Sequence, residues 1–283
     1  MARRIVVYKL FIPGILLILS LFSCSPRRFF QRRTLQTAPE VATDEFNRRC
    51  ELAQQLAKDD RMAWKTSDTI AAEKPMLLDT LDQTWFVYPL NDKRFAFYGR
   101  FSPDDDRYYP KYVFTTDNKG SILRLPPEVN DTTLSYARAV NTGRTFFRSI
   151  IDSLQLDINY NHYIRLQPDA SYKMWFFPAG YDNYYAHGLD IYLTIDSTGT
   201  IVTTYRVFGK FPRYFELDKK EQIIELDNTY DSLPSLGNLF FMYMNRKHFK
   251  KIIIVNAAST STMVYTPERK KWQWVHTAKN YIP

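Results

Sequence analysis

From Thr84 onward the chain is cut into short runs in which ring and β-branched side chains dominate: "TWFVYPL", "RFAFYGRF", "KYVFTTDNKGSILRL", "HYIRL", "SYKMWFFPA", "LDIYLTI" and "TIVTTYRVF". Each is the length of a strand and is bounded by Gly, Pro, Asp or Asn, so each predicts β-structure. Three stretches between and around them have helical periodicity instead. In "TDEFNRRCELAQQLAKDDRMAW", Thr43 can cap a helix whose first turn holds Asp44 and Glu45, charges that suit its positive end. Leu134, Ala137, Val140, Phe147, Ile151 and Leu154 share one face of a second, with Thr132 or Thr133 as its cap. A third begins near Pro234 and ends in Arg246, Lys247 and His248. The apolar run "KIIIV" that follows predicts a strand buried on both faces, and "STMVY" and "WQWV" close the chain. The expected fold is α+β: mixed, largely antiparallel sheets with about three helices.

The first 42 residues are different in kind. Arg3 and Arg4 precede an apolar stretch from Leu10 to Phe22, which has the length of a signal-peptide core and is short of the about 20 residues a spanning helix needs. It ends in Leu21-Phe22-Ser23-Cys24, which resembles the lipobox of bacterial lipoprotein signal peptides, with Leu at −3, Ser at −1 and Cys at +1. The resemblance implies cleavage after Ser23, a lipid on Cys24, and a globular part tethered to a membrane of the cell envelope and facing the periplasm. Arg27, Arg28, Arg32 and Arg33 follow at once and can meet anionic head groups. The positive-inside rule offers a competing reading, an uncleaved anchor. The expected organisation is a signal peptide over 1–23, a basic tether over 24–42 and a globular region over 43–283. Pro126-Pro127 marks a possible division of that region into 43–127 and 128–283.

Charge separates the same parts. The chain carries 38 Lys and Arg against 30 Asp and Glu, but residues 1–33 hold seven basic residues and no acid. The remainder is close to neutral, which argues against a nucleic-acid partner, since such a protein concentrates its excess on one folded face. Of the two cysteines, Cys24 is the lipidation candidate. Cys50 lies in a helical stripe with Phe46, Ala53 and Ala57 and reads as a small buried hydrophobe.

Chemistry is sparse in the pattern. His162, His187, His248 and His276 form no zinc spacing, and there is no nucleophile elbow, P-loop or dinucleotide fingerprint, so no cofactor is expected. Asp104, Asp105 and Asp106 read as a solvated loop. "VFTTDNKGSIL" and "YLTIDSTGTIV" share a turn in which Asp117 and Asp196 open and Gly120 and Gly199 supply positive φ. Aromatics are the excess: 20 Tyr, 20 Phe and 5 Trp, densest in "YKMWFFPAGYDNYYAHG". Tyr and Trp join a large contact face to a polar handle. Tyr181, Tyr184 and Tyr185, beside Asp182 and Asn183 in a loop, are therefore candidate ligand contacts, with Trp175 nearby. Trp175 and Phe177 alternate in a strand and also fit a core.

The segment from Glu225, "ELDNTYDSLPSLGN", a helix, then "KKIIIVN" and "STMVY", is similar to the end of a JAB/MPN metalloprotease-type domain. In that family H-x-H-P leads to S-x-x-D at a helix start. Here Ser235 takes the Ser position, Asn238 that of the Asp, and Glu225 and Asp227 fall near the two His. The resemblance implies either an active or a degenerate metal-dependent hydrolase, with Glu225, Asp227 and Asn238 as the metal set. The reading preferred from the residues is a non-enzymatic, lipid-anchored envelope module whose partner is an envelope protein or glycan.

Overall fold

The computed structural model describes residues 43–73, 84–117, 120–181, 183–208, 212–217 and 222–279. The signal-peptide and tether segments, with Cys24 and the arginines after it, lie outside the described residues. The fold is α+β, with three α-helices and mostly antiparallel sheets among the described residues.

Helix α1 (Thr43–Glu73) is longer than its apolar stripe suggests. Its last turns, rich in Thr and Ser, are poor helix formers, because such hydroxyls compete for the backbone. Here they bond back to it: Thr66 Oγ1 donates to the Met62 carbonyl at 2.8 Å and Ser67 Oγ to that of Ala63 at 2.8 Å. Tyr98, on a neighbouring strand, donates its hydroxyl to the Ala63 carbonyl at 2.9 Å, and Ile70 is fully buried. Tertiary packing carries the helix past Trp64.

Strands β1 (Thr84–Leu90), β2 (Lys93–Ser102), β3 (Arg107–Thr116) and β4 (Ile122–Leu125) form a meander in that order. Helix α2 (Asp131–Leu154) follows, capped by Asn130, whose Oδ1 accepts from Thr133 N at 2.8 Å; neither Thr132 nor Thr133 is the cap. Asn is among the best residues at that position. Leu154, placed on the apolar face by its spacing, is exposed at the end of the last turn, just before the left-handed C-cap at Gln155.

A second sheet runs β5 (Tyr160–Leu166), β6 (Tyr172–Pro178), β8 (Asp190–Ile195), β9 (Ile201–Phe208), with β7 (Tyr184–His187) leaving it to pair with β10 (Arg213–Glu216). The last sheet is β11 (Ile223–Asn228), β12 (Lys251–Asn256), β13 (Ser259–Thr266) and β14 (Lys271–Ala278). β11 and β12 are parallel and joined through α3 (Leu236–Asn245). Helix α3 is capped by Ser235, so Pro234 lies just ahead of the cap, and Arg246 to His248 form the turn beyond its end. In β12 Ile252, Ile254 and Asn256 are buried, while Ile253 and Val255 are half-buried, so one face is fully covered and the other only in part. Both shared turns behave as their sequences imply, with φ of 80° at Gly120 and 87° at Gly199.

The aromatic excess fills cores. Phe86, Tyr88, Phe97 and Tyr136 stack between the first sheet and α2, which also covers Met174, Phe176 and Ile191 of the second. Helix α1 covers the opposite faces: its C-terminal half packs on Val87, Tyr98 and Phe114, its N-terminal half on Tyr163, Trp175 and α3. Both helices thus bridge elements before and after residue 127.

Candidate functional site

A cleft of about 690 Å³ opens between the α1 side of the second sheet and the start of α3. Its floor follows from strand register. Tyr163, Trp175 and Tyr192 are cross-strand neighbours on β5, β6 and β8, and Arg165, Lys173 and Thr194 form the next rung on the same face. Side chains two residues apart point the same way, so one face presents a ring rung beside a polar rung. Gln167 lies at the rim, and Glu45, Arg49, Asp231 and Ser235 complete the walls.

The charges in the walls are engaged with one another. Arg49 bonds Glu45 at 2.9 Å and Asp231 at 3.0 Å, and Arg165 pairs with Asp59 behind the floor. Arg49 holds both its carboxylates below their ordinary values, in Glu45 as the largest influence and in Asp231 against the opposing effect of burial. A carboxylate held low is a poor general acid at neutral pH. These walls can accept and donate hydrogen bonds to a ligand and offer it ring surface.

The sequence candidates separate in space. Trp175 lines this cleft, yet it is 5% exposed and belongs to the core against Phe46 and α3, so it supports the floor and is not an open stacking platform. Tyr181 and Tyr184, 54% and 39% exposed, stack at 5.7 Å on the β7 hairpin with Tyr214 against them. Tyr185 turns inward from the same hairpin, edge-on to Phe241, because alternation along β7 sends it to the core face. Glu225 and Asp227 are exposed on β11, where Asp227 caps Thr229, whereas Asn238 is buried in the first turn of α3. No group of three His, Cys, Asp or Glu suited to a metal ion occurs among the described residues. Cys50 is buried, which pushes its thiol up to about 11.

Behind the cleft is a buried polar cluster that the pattern gave no means to find. Asn238 Oδ1 accepts from Ser235 Oγ at 2.7 Å and from His187 Nε2 at 3.2 Å. Ser235 N in turn donates to Asn228 Oδ1 at 3.3 Å, and Asn228 Nδ2 donates to Asn256 Oδ1 at 2.8 Å. Asn256 continues to Ser261 Oγ at 2.8 Å, which meets His276 Nδ1 at 2.8 Å. Beside it Asp190, 3% exposed, lies against Gly237 in the first turn of α3. These residues are scattered over 90 positions, and only the β11–α3–β12 crossover brings them together.

Burial raises the Asp190 carboxyl to about 8 and lowers His187 to about 4 and His162 to about 3. Tyr160, Tyr192 and Tyr230 are all shifted upward, by burial first and by the Asp190 charge second, and stay neutral. Between pH 6.5 and 8 the folded protein keeps a proton on Asp190 that the unfolded chain has released, so stability falls as pH rises. The two histidines, neutral in the fold but half protonated in the unfolded chain at pH 6.5, give a slope of opposite sign that fades above pH 7. The expected net loss across that window is roughly 1 kcal/mol, most of it above pH 7, read as a falling urea midpoint. Asp190→Asn should flatten it, and a wild-type midpoint that is constant from pH 6.5 to 8 would refute a protonated Asp190.

What the fold and the cleft define is an α+β module with a polar, ring-floored recess beside a helix start. No family model, curated protein or solved structure matches the chain.

Proposed function

We propose that this chain is a lipid-anchored, non-enzymatic binding module of the cell envelope, and that the cleft beside α3 receives an N-acetylated glycan strand. The observation that carries the reading is the paired rungs of the floor, with ring surface from Tyr192, backed by the buried Trp175, beside the polar heads of Arg165, Lys173 and Thr194. A pyranose joins an apolar C–H face to a rim of hydroxyls and amides, and pockets that combine apolar walls with a few fixed polar groups suit such ligands. Ion pairs that already lock Arg49 and Arg165 hold the walls in place, which lowers the ordering cost of binding. The address rests on Leu21 to Cys24, with Arg27, Arg28, Arg32 and Arg33 supporting membrane contact.

The test uses the full chain in detergent micelles and an oligomer of N-acetylglucosamine as the probe. Saturable binding is expected, with at least a tenfold loss in Thr194→Trp, which fills the cleft, at an unchanged melting temperature. Absence of binding by the wild type, or equal binding by the filled variant, would sink the glycan reading. The address is tested separately in cells: Cys24→Ala should abolish fatty-acid incorporation and processing after Ser23, and unchanged labelling would remove the lipid anchor.

A further inference from the structure

The opposite flank of α1 lines a second cleft, of about 400 Å³, closed by the end of α3 and the edge strand β14. Positions 45, 49 and 52 face the first cleft and positions 54, 58 and 61 this one. Both sets follow the i, i+4, i+7 spacing of a helix face, on either side of the buried stripe through Phe46, Cys50, Ala53 and Ala57.

The two clefts differ in charge. Lys58, Arg61 and Arg246 line the second with no carboxylate in its walls, and none of the three has an ion pair among the described residues. The polar contacts of the two guanidiniums here are to sulfur: Arg61 Nη1 to Met244 Sδ at 4.0 Å and Arg246 Nη1 to Met263 Sδ at 3.7 Å. Burial, with a smaller contribution from Arg61, disfavours the charge on Arg246, the reverse of what an arginine held by a carboxylate experiences. Gathering like charges costs free energy that a bound anion would recover.

The aromatic side of the cleft is prearranged. Tyr243 Oη accepts from Gln54 Nε2 at 3.0 Å and from Trp274 Nε1 at 3.3 Å, which fixes both the phenol and the indole. The Arg246 guanidinium lies 4.9 Å over the Trp272 ring, a cation–π contact that holds it at the mouth, and Trp272 remains 38% exposed. The Gln54 amide group gives its NH₂ to Tyr243 and keeps its carbonyl oxygen for a hydroxyl.

We infer that this second cleft binds an acidic saccharide, with a phosphate or carboxylate held by Lys58, Arg61 and Arg246 and one sugar ring set against Trp272 and Trp274. Three cations lining one small cleft suit a compact anion, and the volume fits one ring with its substituent near the lower end of small-molecule pockets. Gln54 favours a hydroxylated ring over a bare anion.

The experiment titrates the full chain in detergent micelles with glucose 6-phosphate, glucuronate, glucose, inorganic phosphate and AMP, followed by tryptophan emission and calorimetry. At least one of the two acidic sugars should saturate the site and shift the emission, with affinity falling as salt rises. Glucose 6-phosphate alone would identify a phosphate site, and glucuronate alone a carboxylate site. Lys58→Gln with Arg61→Gln, both on an exposed helix face, should weaken binding at least tenfold at an unchanged melting temperature, and Trp272→Ala at least fivefold. Thr194→Trp, in the first cleft, should leave it intact, so the two proposals fail separately. Binding by neither acidic sugar, equal binding by glucose, inorganic phosphate or AMP, or wild-type affinity in the variants would each overturn the inference.

Discussion

Gly237→Ala should destabilise the protein by about 3 kcal/mol or more, although alanine is the better helix former by about 1 kcal/mol. A Cβ at Gly237 would stand 1.7 Å from Asp190 Oδ2 and 2.4 Å from its Cγ. Asp190 is 3% exposed, so it has no open space to swing into, and the first turn of α3 must move. That turn carries Ser235 and Asn238, and its displacement would break the bonds that run on to Asn228 and Asn256. A fall of about 6–12 °C in melting temperature follows from the size of the domain. Asp190→Ala removes the obstructing carboxyl, so the double variant should recover most of the loss relative to Asp190→Ala alone, a non-additivity of at least 1.5 kcal/mol in magnitude. Additive losses would show that the contact between the two residues is not the cause.

Much of the fold was legible because it depends on local rules. The strands announced themselves as ring-rich runs between turn residues, the start of α1 through the acidic first turn at Asp44 and Glu45, and the two T-x-D turns through glycines that reach positive φ. Errors came where tertiary partners override local preference. The end of α1 was invisible because Thr66 and Ser67 are held by Tyr98, a residue on another element. The cap of α2 is Asn130, two positions ahead of the threonine pair, because asparagine is among the best acceptors for a first-turn N–H, here that of Thr133. β12 looked doubly buried because an apolar run does not reveal which side faces a helix.

The sites were less legible for a geometric reason. Tyr181, Tyr184 and Tyr185 are consecutive enough to look like one surface, but the two-residue period of a strand splits them between solvent and core. The first cleft needs rungs from three strands, and the second needs faces from α1, α3 and β14. Neither leaves a spacing that can be read along the chain. Lys58 and Arg61 are exposed charges on a helix face, and only the placement of Trp272 and Trp274 in the same cleft gives that charge a context.

The same long-range logic makes Asp59 the other position of large effect. Asp59 sits where α1 passes from the first sheet to the second, and its side chain is 2% exposed. Its Oδ1 accepts from Arg94 Nε of β2 at 2.9 Å, and its Oδ2 pairs with Arg165 of β5, so one carboxylate ties both sheets to the helix. Burial raises its proton affinity and the two arginines, Arg165 foremost, oppose that rise. Asp59→Ala would leave two guanidiniums, 17% and 12% exposed, without their counter-charge. Breaking a buried pair in this way costs about 3–5 kcal/mol, because the charge left behind keeps its desolvation penalty with no compensating attraction. The urea midpoint should fall accordingly, with an unchanged slope if the protein still unfolds in one step. Replacing all three members together, as Asp59→Leu, Arg94→Met and Arg165→Met, removes the charges along with their pairing, and should cost far less than the single change. If the triple replacement is as damaging as Asp59→Ala, the energy lies in the shape of this junction and not in its charges, and the carboxylate would be a spacer between sheets that happen to carry arginines.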